Sequence, residues 1–284
     1  MAYIDMTVKM MESFGVSLKK DGNKYIVSGS QRYNAPDRGC NDNKETVNNK
    51  ETDDKNETGK NETVNKNYAG GGKYDIEPDA SAAAYFYAMC PILNIPVCVP
   101  GIKFDSLQGD VEFIHVLEKM GCRAFVYGKD KEADEYDYGD SKVNTGDVLL
   151  LPPPDGSFSG ADIDMSAFSD QAITLAAIAP FATSPTTIRG IGHIRLQESD
   201  RLSAIVTELG KMGIKTENGE DRIKIYPGSP VGTTVDTYDD HRMAMGFSLI
   251  GLRAEGIVID NPACCSKTFA EYFDELDKIC EELA

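Results

Sequence analysis

Phe168-Ser169-Asp170-Gln171, then Thr186-Thr187-Ile188-Arg189-Gly190-Ile191, then Gln197-Glu198-Ser199-Asp200-Arg201 set out one structural unit in order. The first piece opens an apolar helix running to Phe181, and the second is a β-branched strand. The third opens another helix, ending at Lys211-Met212-Gly213 ahead of a strand from Arg222 to Tyr226. In that helix Leu202, Ile205, Val206, Leu209 and Met212 fall on one face. The same order occurs earlier: a helix opened by Asp79-Ala80-Ser81, a strand Val97 to Ile102, a helix from Gln108-Gly109-Asp110 to Gly121, and a strand Cys122 to Tyr127. Leu149-Leu150-Leu151 adds a strand between these two passes. A third pass runs from Asp239, with a helix through Leu252, a strand Ile257-Val258-Ile259, and a helix from Ser266 to Leu283. On this last helix Phe269, Phe273, Leu276 and Cys280 share a face. Three passes of a roughly 70–90-residue unit predict a pseudo-threefold α/β domain over about 79–284.

The bulk numbers exclude several classes. With 284 residues the chain has room for two domains, and 41% hydrophobic content is enough for a core. A net charge of −17 argues against a nucleic-acid or polyanion surface, while leaving room for a small anion in a local basic pocket. No apolar run approaches the roughly 20 residues of a membrane span, and Met1-Ala2-Tyr3-Ile4-Asp5 lacks the basic and apolar regions of a signal peptide. Seven cysteines without a C-x-x-C pair read as reduced thiols of a cytoplasmic protein without a zinc site.

Ahead of the repeats, residues 3–15 read as a helix ending at Gly15, and Tyr25 to Gly29 as a strand. From about 34 to 72 the sequence becomes near-repeats such as Asn43-Lys44-Glu45-Thr46 and Asn49-Lys50-Glu51-Thr52. Almost devoid of apolar residues, this tract is expected to be disordered, and it reads as a surface-loop insertion of the kind long loops tolerate in preference to a tethered partner motif. The first 30 residues resemble the tail of a fourth copy of the repeat.

Each of the three late helix starts carries a cation: Arg201, Arg242 of Thr237-Tyr238-Asp239-Asp240-His241-Arg242, and Lys267 of Cys264-Cys265-Ser266-Lys267. Helix N-termini present free N–H groups and the positive end of the macrodipole, so cations there oppose folding and favour anion binding. Taken singly, each cluster also has a structural reading. Glu198, Asp200 and Arg201 make capping and i,i+3 pairs, Thr237 caps the next helix, and His241 is a satisfied core or cap residue. Asp170 and Asp79 serve as first-turn or cap acids, and Lys267 lies exposed beside Ser266. Recurrence at equivalent points of three repeats favours one convergent site.

These pieces carry a resemblance. Tyr3-Ile4-Asp5-Met6-Thr7, Asp79-Ala80-Ser81, Ser106-Leu107-Gln108-Gly109-Asp110, Ser169-Asp170, Arg195 to Leu202, Tyr238 to Met245 and Lys267-Thr268-Phe269 resemble the C-terminal part of the 5-enolpyruvylshikimate-3-phosphate (EPSP) synthase family. The related enolpyruvyl transferases acting on UDP-N-acetylglucosamine share the fold and lack this motif set. The resemblance implies the enolpyruvyl transferase fold, an inside-out α/β barrel of βαβαββ units, with a hinge near Glu77 and Pro78. Residues 1–77 would be the last unit of the N-terminal domain, with the insertion at 34–72, and 78–284 the C-terminal domain.

The resemblance also implies site residues. Arg201, Arg242 and Lys267 match the groups that hold phosphoenolpyruvate. Tyr3, Asp170, His193 and Gln197 match contacts to shikimate-3-phosphate, with Asp170 as base for its 5-hydroxyl. Glu198 matches the acid that moves a proton at the phosphoenolpyruvate methylene. No metal or organic cofactor is implied. Gln197 stands where many family members have lysine, and His193 where many have asparagine. The family's N-terminal Lys-Ser pair, further arginines and Ser-Ser-Gln phosphate cradle are absent before Tyr3, and Met1-Ala2 reads as an imposed start. A truncated transferase inactive alone is therefore the first expectation. A naturally split enzyme completed by an N-terminal polypeptide, a UDP-N-acetylglucosamine enolpyruvyl transferase-like enzyme and a non-catalytic anion-binding module are the rivals.

Overall fold

The computed structural model describes residues 2–22, 24–27, 29, 76–136 and 143–283, so the tract expected to be disordered at 34–72 lies outside the described residues. Two units result, one of Thr7–Ile76 and one of Met1–Met6 with Glu77–Ala284. The chain opens with helix α1 (Ala2–Ser13), which ends as expected at Gly15, φ 78°. A hairpin of β1 (Leu18–Asp21) and β2 (Lys24–Val27) follows, in antiparallel register Leu18 with Val27. Its second strand answers the expected one at Tyr25.

In the larger unit the first pass contains α2 (Ala80–Leu93), β3 (Val97–Cys98), α3 (Glu112–Lys119), β4 (Arg123–Val126), the single turn α4 (Lys131–Asp134) and β5 (Val148–Leu151). The second contains β6 (Asp162–Asp164), α5 (Ala172–Ile178) flanked by 3-10 turns at Ser169–Gln171 and Ala179–Phe181, β7 (Thr186–Arg189), α6 (Arg201–Lys211), β8 (Thr216–Asn218) and β9 (Arg222–Ile225). The third contains β10 (Thr234–Val235), α7 (His241–Gly251), β11 (Val258–Ile259), a 3-10 segment Pro262–Lys267 and α8 (Tyr272–Leu283). The sheets are small and open: β3-β5-β4, β6-β7-β9-β8 and the parallel pair β10-β11. Each of α5 and α7 joins two parallel strands, β6 to β7 and β10 to β11, so the second and third passes repeat one connection.

The helices, not the strands, form the centre. All seven residues of α5 are buried, as are most of α2 and α7. Helices apolar on every side belong inside, and these three pack on one another. Gly246 lets two of them close up: a Cβ there would lie 2.7 Å from Ile173 Cγ2 of α5. Among the described residues no closed barrel of strands forms, and no helix is long and apolar enough to cross a membrane.

Asp79 caps α2 as expected, accepting the Ser81 amide at 2.8 Å and the Ala82 amide at 3.2 Å. Just before it, the Glu77 carboxylate accepts the Ser106 hydroxyl at 2.6 Å and the Leu107 amide at 3.1 Å, while Gln108 Nε2 donates to the Pro78 carbonyl at 2.6 Å.

Two expectations are corrected. The strand expected over Val97–Ile102 stops at Cys98, because the chain turns at Gly101 (φ 82°) against Pro78. The last helix starts at Tyr272 rather than Ser266. Lys267 therefore closes a 3-10 segment that Pro262 opens. Phe269 lies outside α8 and packs on the rings of Phe86 and Tyr272, at 6.2 and 5.8 Å between centroids. Buried Tyr272 and Leu276 mark the inner face of α8, and Cys280 is exposed.

Candidate active site

The site begins with two aspartate caps. Asp200 accepts the Ser203 amide at 2.9 Å and opens α6, while Asp240 accepts the Arg242 amide at 3.0 Å and opens α7. Asp240, rather than the expected Thr237, is the cap of α7. Arg195 explains itself structurally: it pairs with Asp200 at 3.1 Å and donates to the carbonyls of Gly219 and Glu220. Arg201, one position past its cap, points inward and is 1% exposed.

A buried guanidinium must be fully paired. Arg201 Nε donates to Asp240 Oδ2 at 2.7 Å and Nη2 to Asp240 Oδ1 at 3.2 Å. Nη1 donates to Asp170 Oδ1 at 3.2 Å and to Gln197 Oε1, and Nη2 to Glu198 Oε2 at 2.7 Å. These five bonds engage all five donors of the group. The other oxygen of Asp170 accepts from Arg242 Nη2 at 2.8 Å, and Gln197 Nε2 lies 3.3 Å from Asp170 Oδ1. Asp170, 7% exposed, is thus held between two guanidiniums from different helices. Burial alone would raise the Asp240 carboxyl, but the hydrogen bonds and charge of Arg201 and the Arg242 amide hold it below the usual carboxylate range.

The expected site residues Asp170, Glu198, Arg201, Arg242 and Gln197 are therefore joined in one network. Glu198 is its open member, with 43% of its side chain exposed. His193 stands at its edge, with Nε2 2.8 Å from Ser169 Oγ beside Asp170. Lys267 is exposed, and its charge acts on His241. Among the described residues no carboxylate pairs with Lys267 within 4.0 Å. Tyr3 lies in α1, outside the residues whose side chains are described. Three carboxylates (Asp170, Glu198, Asp240) against two guanidiniums leave the network one negative, and Lys267 brings the sum to zero.

Arg242 also lines a small pocket of about 40 Å³, together with Asp79, Ser81, Tyr85, His241 and Thr268. His241 Nδ1 is buried without a hydrogen-bond partner among the described residues. Burial, then the charge of Arg242, push its pKa down, against the pull of Asp240. Burial also pushes the Tyr85 hydroxyl up to about 12, against the neighbouring Arg242 guanidinium. A second network ties the helix starts together. Ser81 Oγ and Gln171 Nε2 both donate to Asp110 Oδ2, the latter at 3.2 Å, and Thr174 Oγ1 donates to Gln171 at 3.0 Å. The sequence marks Ser81, Asp110 and Gln171 as helix starts and, for the first two, as parts of matching motifs, but it does not show this network, because bonds spanning 29 and 61 residues carry no local signal. Among the described residues no cluster of three or more His, Cys, Asp or Glu is placed to hold a metal ion.

The family model of EPSP synthase (3-phosphoshikimate 1-carboxyvinyltransferase) matches residues 50–276. The chain belongs to the EPSP synthase family. A 3-phosphoshikimate 1-carboxyvinyltransferase of Nostoc punctiforme is 38% identical over 283 residues, covering 99% of this chain and 54% of the relative. The chloroplastic 3-phosphoshikimate 1-carboxyvinyltransferase of Arabidopsis thaliana is 36% identical, covering 98% of this chain and 45% of the relative. The chain spans about half the length of the curated relatives it matches. Among solved structures, EPSP synthase from Acinetobacter baumannii aligns with a TM-score of 0.65 at 20% identity, over 95% of this chain and 53% of that one. The enolpyruvyl transferase NikO from Streptomyces tendae aligns with a TM-score of 0.58 at 17% identity, over 96% and 52%. These likenesses show the α/β enolpyruvyl transferase fold, and the EPSP synthase family is the one the motifs from Tyr3 to Phe269 pointed to.

Proposed function

We propose that this chain supplies the C-terminal half of an EPSP synthase site, in which the enolpyruvyl group of phosphoenolpyruvate moves to the 5-hydroxyl of shikimate-3-phosphate and phosphate leaves. The observation that carries the reading is Asp170 held between Arg201 and Arg242. A carboxylate bridging two cationic forks is placed to accept a hydroxyl proton at the spot where an anionic co-substrate docks. Arg242 and Lys267 are the groups that meet phosphoenolpyruvate first, and Arg201 joins them once an incoming anion displaces Glu198 or Gln197. Glu198, the open member of the network, delivers a proton to the methylene carbon during addition and removes one during elimination. Gln197 and His193 face shikimate-3-phosphate with hydrogen bonds alone, and Tyr3 belongs to the same subsite. Residues 78–284 correspond to the C-terminal domain and 1–77 to the last unit of the other domain, and the work is cytoplasmic.

Charge supports a shared site. The network with Lys267 is neutral, while the reaction gathers two phosphorylated substrates. Stabilising that negative charge in a closed pocket requires further preorganised cations. They would come from the part of the relatives that this sequence does not span, in cis or in trans, and without them turnover by this chain alone is negligible. Phosphate release from the two substrates tests the reading, with this chain alone and mixed with a separately expressed N-terminal half. Release on mixing alone is expected. Silence from a folded, demonstrated complex would instead favour an anion-binding module.

A further inference from the structure

Tyr238 and Asp239 are consecutive non-glycine residues in the left-handed region, at φ 54° and 55°. Side-chain-bearing residues stay there only where their surroundings over-determine the backbone, and such strain gathers at functional sites. Here the turn leads directly into Asp240, His241 and Arg242. It is gripped from two sides. From α6, Glu208 Oε1 accepts the Tyr238 hydroxyl at 2.8 Å, and Oε2 accepts the Asp236 amide at 3.2 Å. From ahead of the last 3-10 segment, Asn261 Nδ2 donates to Asp239 Oδ1 at 3.2 Å.

Glu208 is 0% exposed, an unusual place for a carboxylate on an otherwise amphipathic helix. Lys211 compensates its charge, with Nζ 2.8 and 2.9 Å from the two carboxylate oxygens. The remaining acceptor capacity all goes to the Asp236–Tyr238 turn. Burial, then the hydrogen bond to Glu208, push the Tyr238 hydroxyl up to about 12, so it stays a donor throughout the neutral range. Glu208 also lies seven positions after Arg201 on α6, two turns along the same face. One helix therefore carries a guanidinium of the site and the anchor of the turn that delivers Asp240 and Arg242.

We propose that Glu208 is a positioning residue: through Tyr238 it holds the strained turn that places Asp240 on Arg201 and Arg242 on Asp170. Its bearing on catalysis rests on the enolpyruvyl-transfer reading of this network. Without the anchor the left-handed turn relaxes, and the two guanidiniums, carried by separate helices, lose their common registration on Asp170. Misplacement of this kind acts on the transition state more than on ground-state binding.

The test uses Tyr238→Phe, which deletes one hydroxyl and leaves no buried charge, and Glu208→Gln. Lys211→Ala is the control that touches Glu208 and not the turn. Amide exchange in this chain alone is the first readout. Loss of protection by about tenfold or more at Asp240 and Arg242 is expected in both variants, with α2 amides unchanged. Kinetics of this chain mixed with an N-terminal half is the second. There, kcat/KM for phosphoenolpyruvate is expected to fall about tenfold or more, mostly in kcat, and the double variant to be no worse than the worse single one. Lys211→Ala is expected to lower Tm alone. Unchanged exchange at those two amides in Tyr238→Phe overturns the proposal, as does wild-type kcat/KM in that variant. Silent mixtures with the wild-type chain would refute the reaction and leave the exchange result to decide on the anchor.

Discussion

Arg201 Nε and Asp240 Oδ2 stand 2.7 Å apart, with 2% and 0% of the two side chains exposed. The pair joins the first turn of α6 to the cap of α7, and its energetics are lopsided. Formed, a buried pair adds little beyond its own desolvation cost; broken, it strands a charge in the interior. Asp240→Ala is therefore expected to destabilise the chain by about 3–5 kcal/mol, toward the lower end because Asp170 and Glu198 still face Arg201. Urea unfolding measures this, and a loss under about 1 kcal/mol would mean that water or Asp170 replaces the cap at no cost.

Glu198 and Arg242 are expected to separate chemistry from binding. In the mixed halves, Glu198→Gln is expected to lower kcat about a hundredfold or more, the scale of general acid–base catalysis. Affinity for phosphoenolpyruvate would hold or tighten, because the amide releases an Arg201 donor more readily than the carboxylate does. Arg242→Ala removes a charged fork and is expected to weaken phosphoenolpyruvate binding about tenfold or more. Equal losses of binding and turnover in Glu198→Gln would return that residue to a structural role.

The position of these groups was partly legible before the structure. Polar residues ahead of the Leu202–Met212 stripe located the start of α6 and hence Arg201, because caps and helical periodicity are local signals. Ser266 reads as a cap and Phe269 falls in register with Phe273, a pattern that puts Lys267 at a helix start. The structure spends Phe269 on an aromatic cluster with Phe86, over 180 residues away, and no spacing rule contains that contact. Strands β6, β8 and β10 leave no signal in the sequence for a related reason. Two or three residues long and mostly polar, they are defined by their partners. That Arg201 is buried at all follows only from carboxylates brought together by the second and third passes of the fold.

His241 gives acid sensitivity a definite sign. Its folded pKa lies below the ordinary 6.5, chiefly through burial. An unfolded chain therefore binds a proton that the folded chain refuses. The contribution of this group is complete above pH 6.5 and lost as pH falls toward the folded value. Between about pH 7.5 and about pH 5.5 the wild type is expected to lose more unfolding free energy than His241→Asn. Parallel pH profiles would remove His241 as the titrating group.

Gly246 sets two known effects against each other. Replacing a mid-helix glycine by alanine gains about 1 kcal/mol of propensity, while forcing atoms into a packed core costs about 1–3 kcal/mol. With Ile173 Cγ2 2.7 Å from the new Cβ, the clash is with a short branch close to the backbone of α5, which has little freedom to swing aside. Gly246→Ala is expected to lower Tm, and a raised Tm would show that α5 and α7 can separate cheaply.

The bonds from Glu77 and Pro78 to Ser106, Leu107 and Gln108 alter what a pivot at that point can mean. A joint needs torsions that turn without breaking anything, and these two residues are bolted to the loop before α3. With Gln108 Oε1 also accepting the Ala80 amide at 2.9 Å, Glu77 and Pro78 are clamped to the start of α2 and to the loop before α3 as one piece, which is the opposite of what a joint requires.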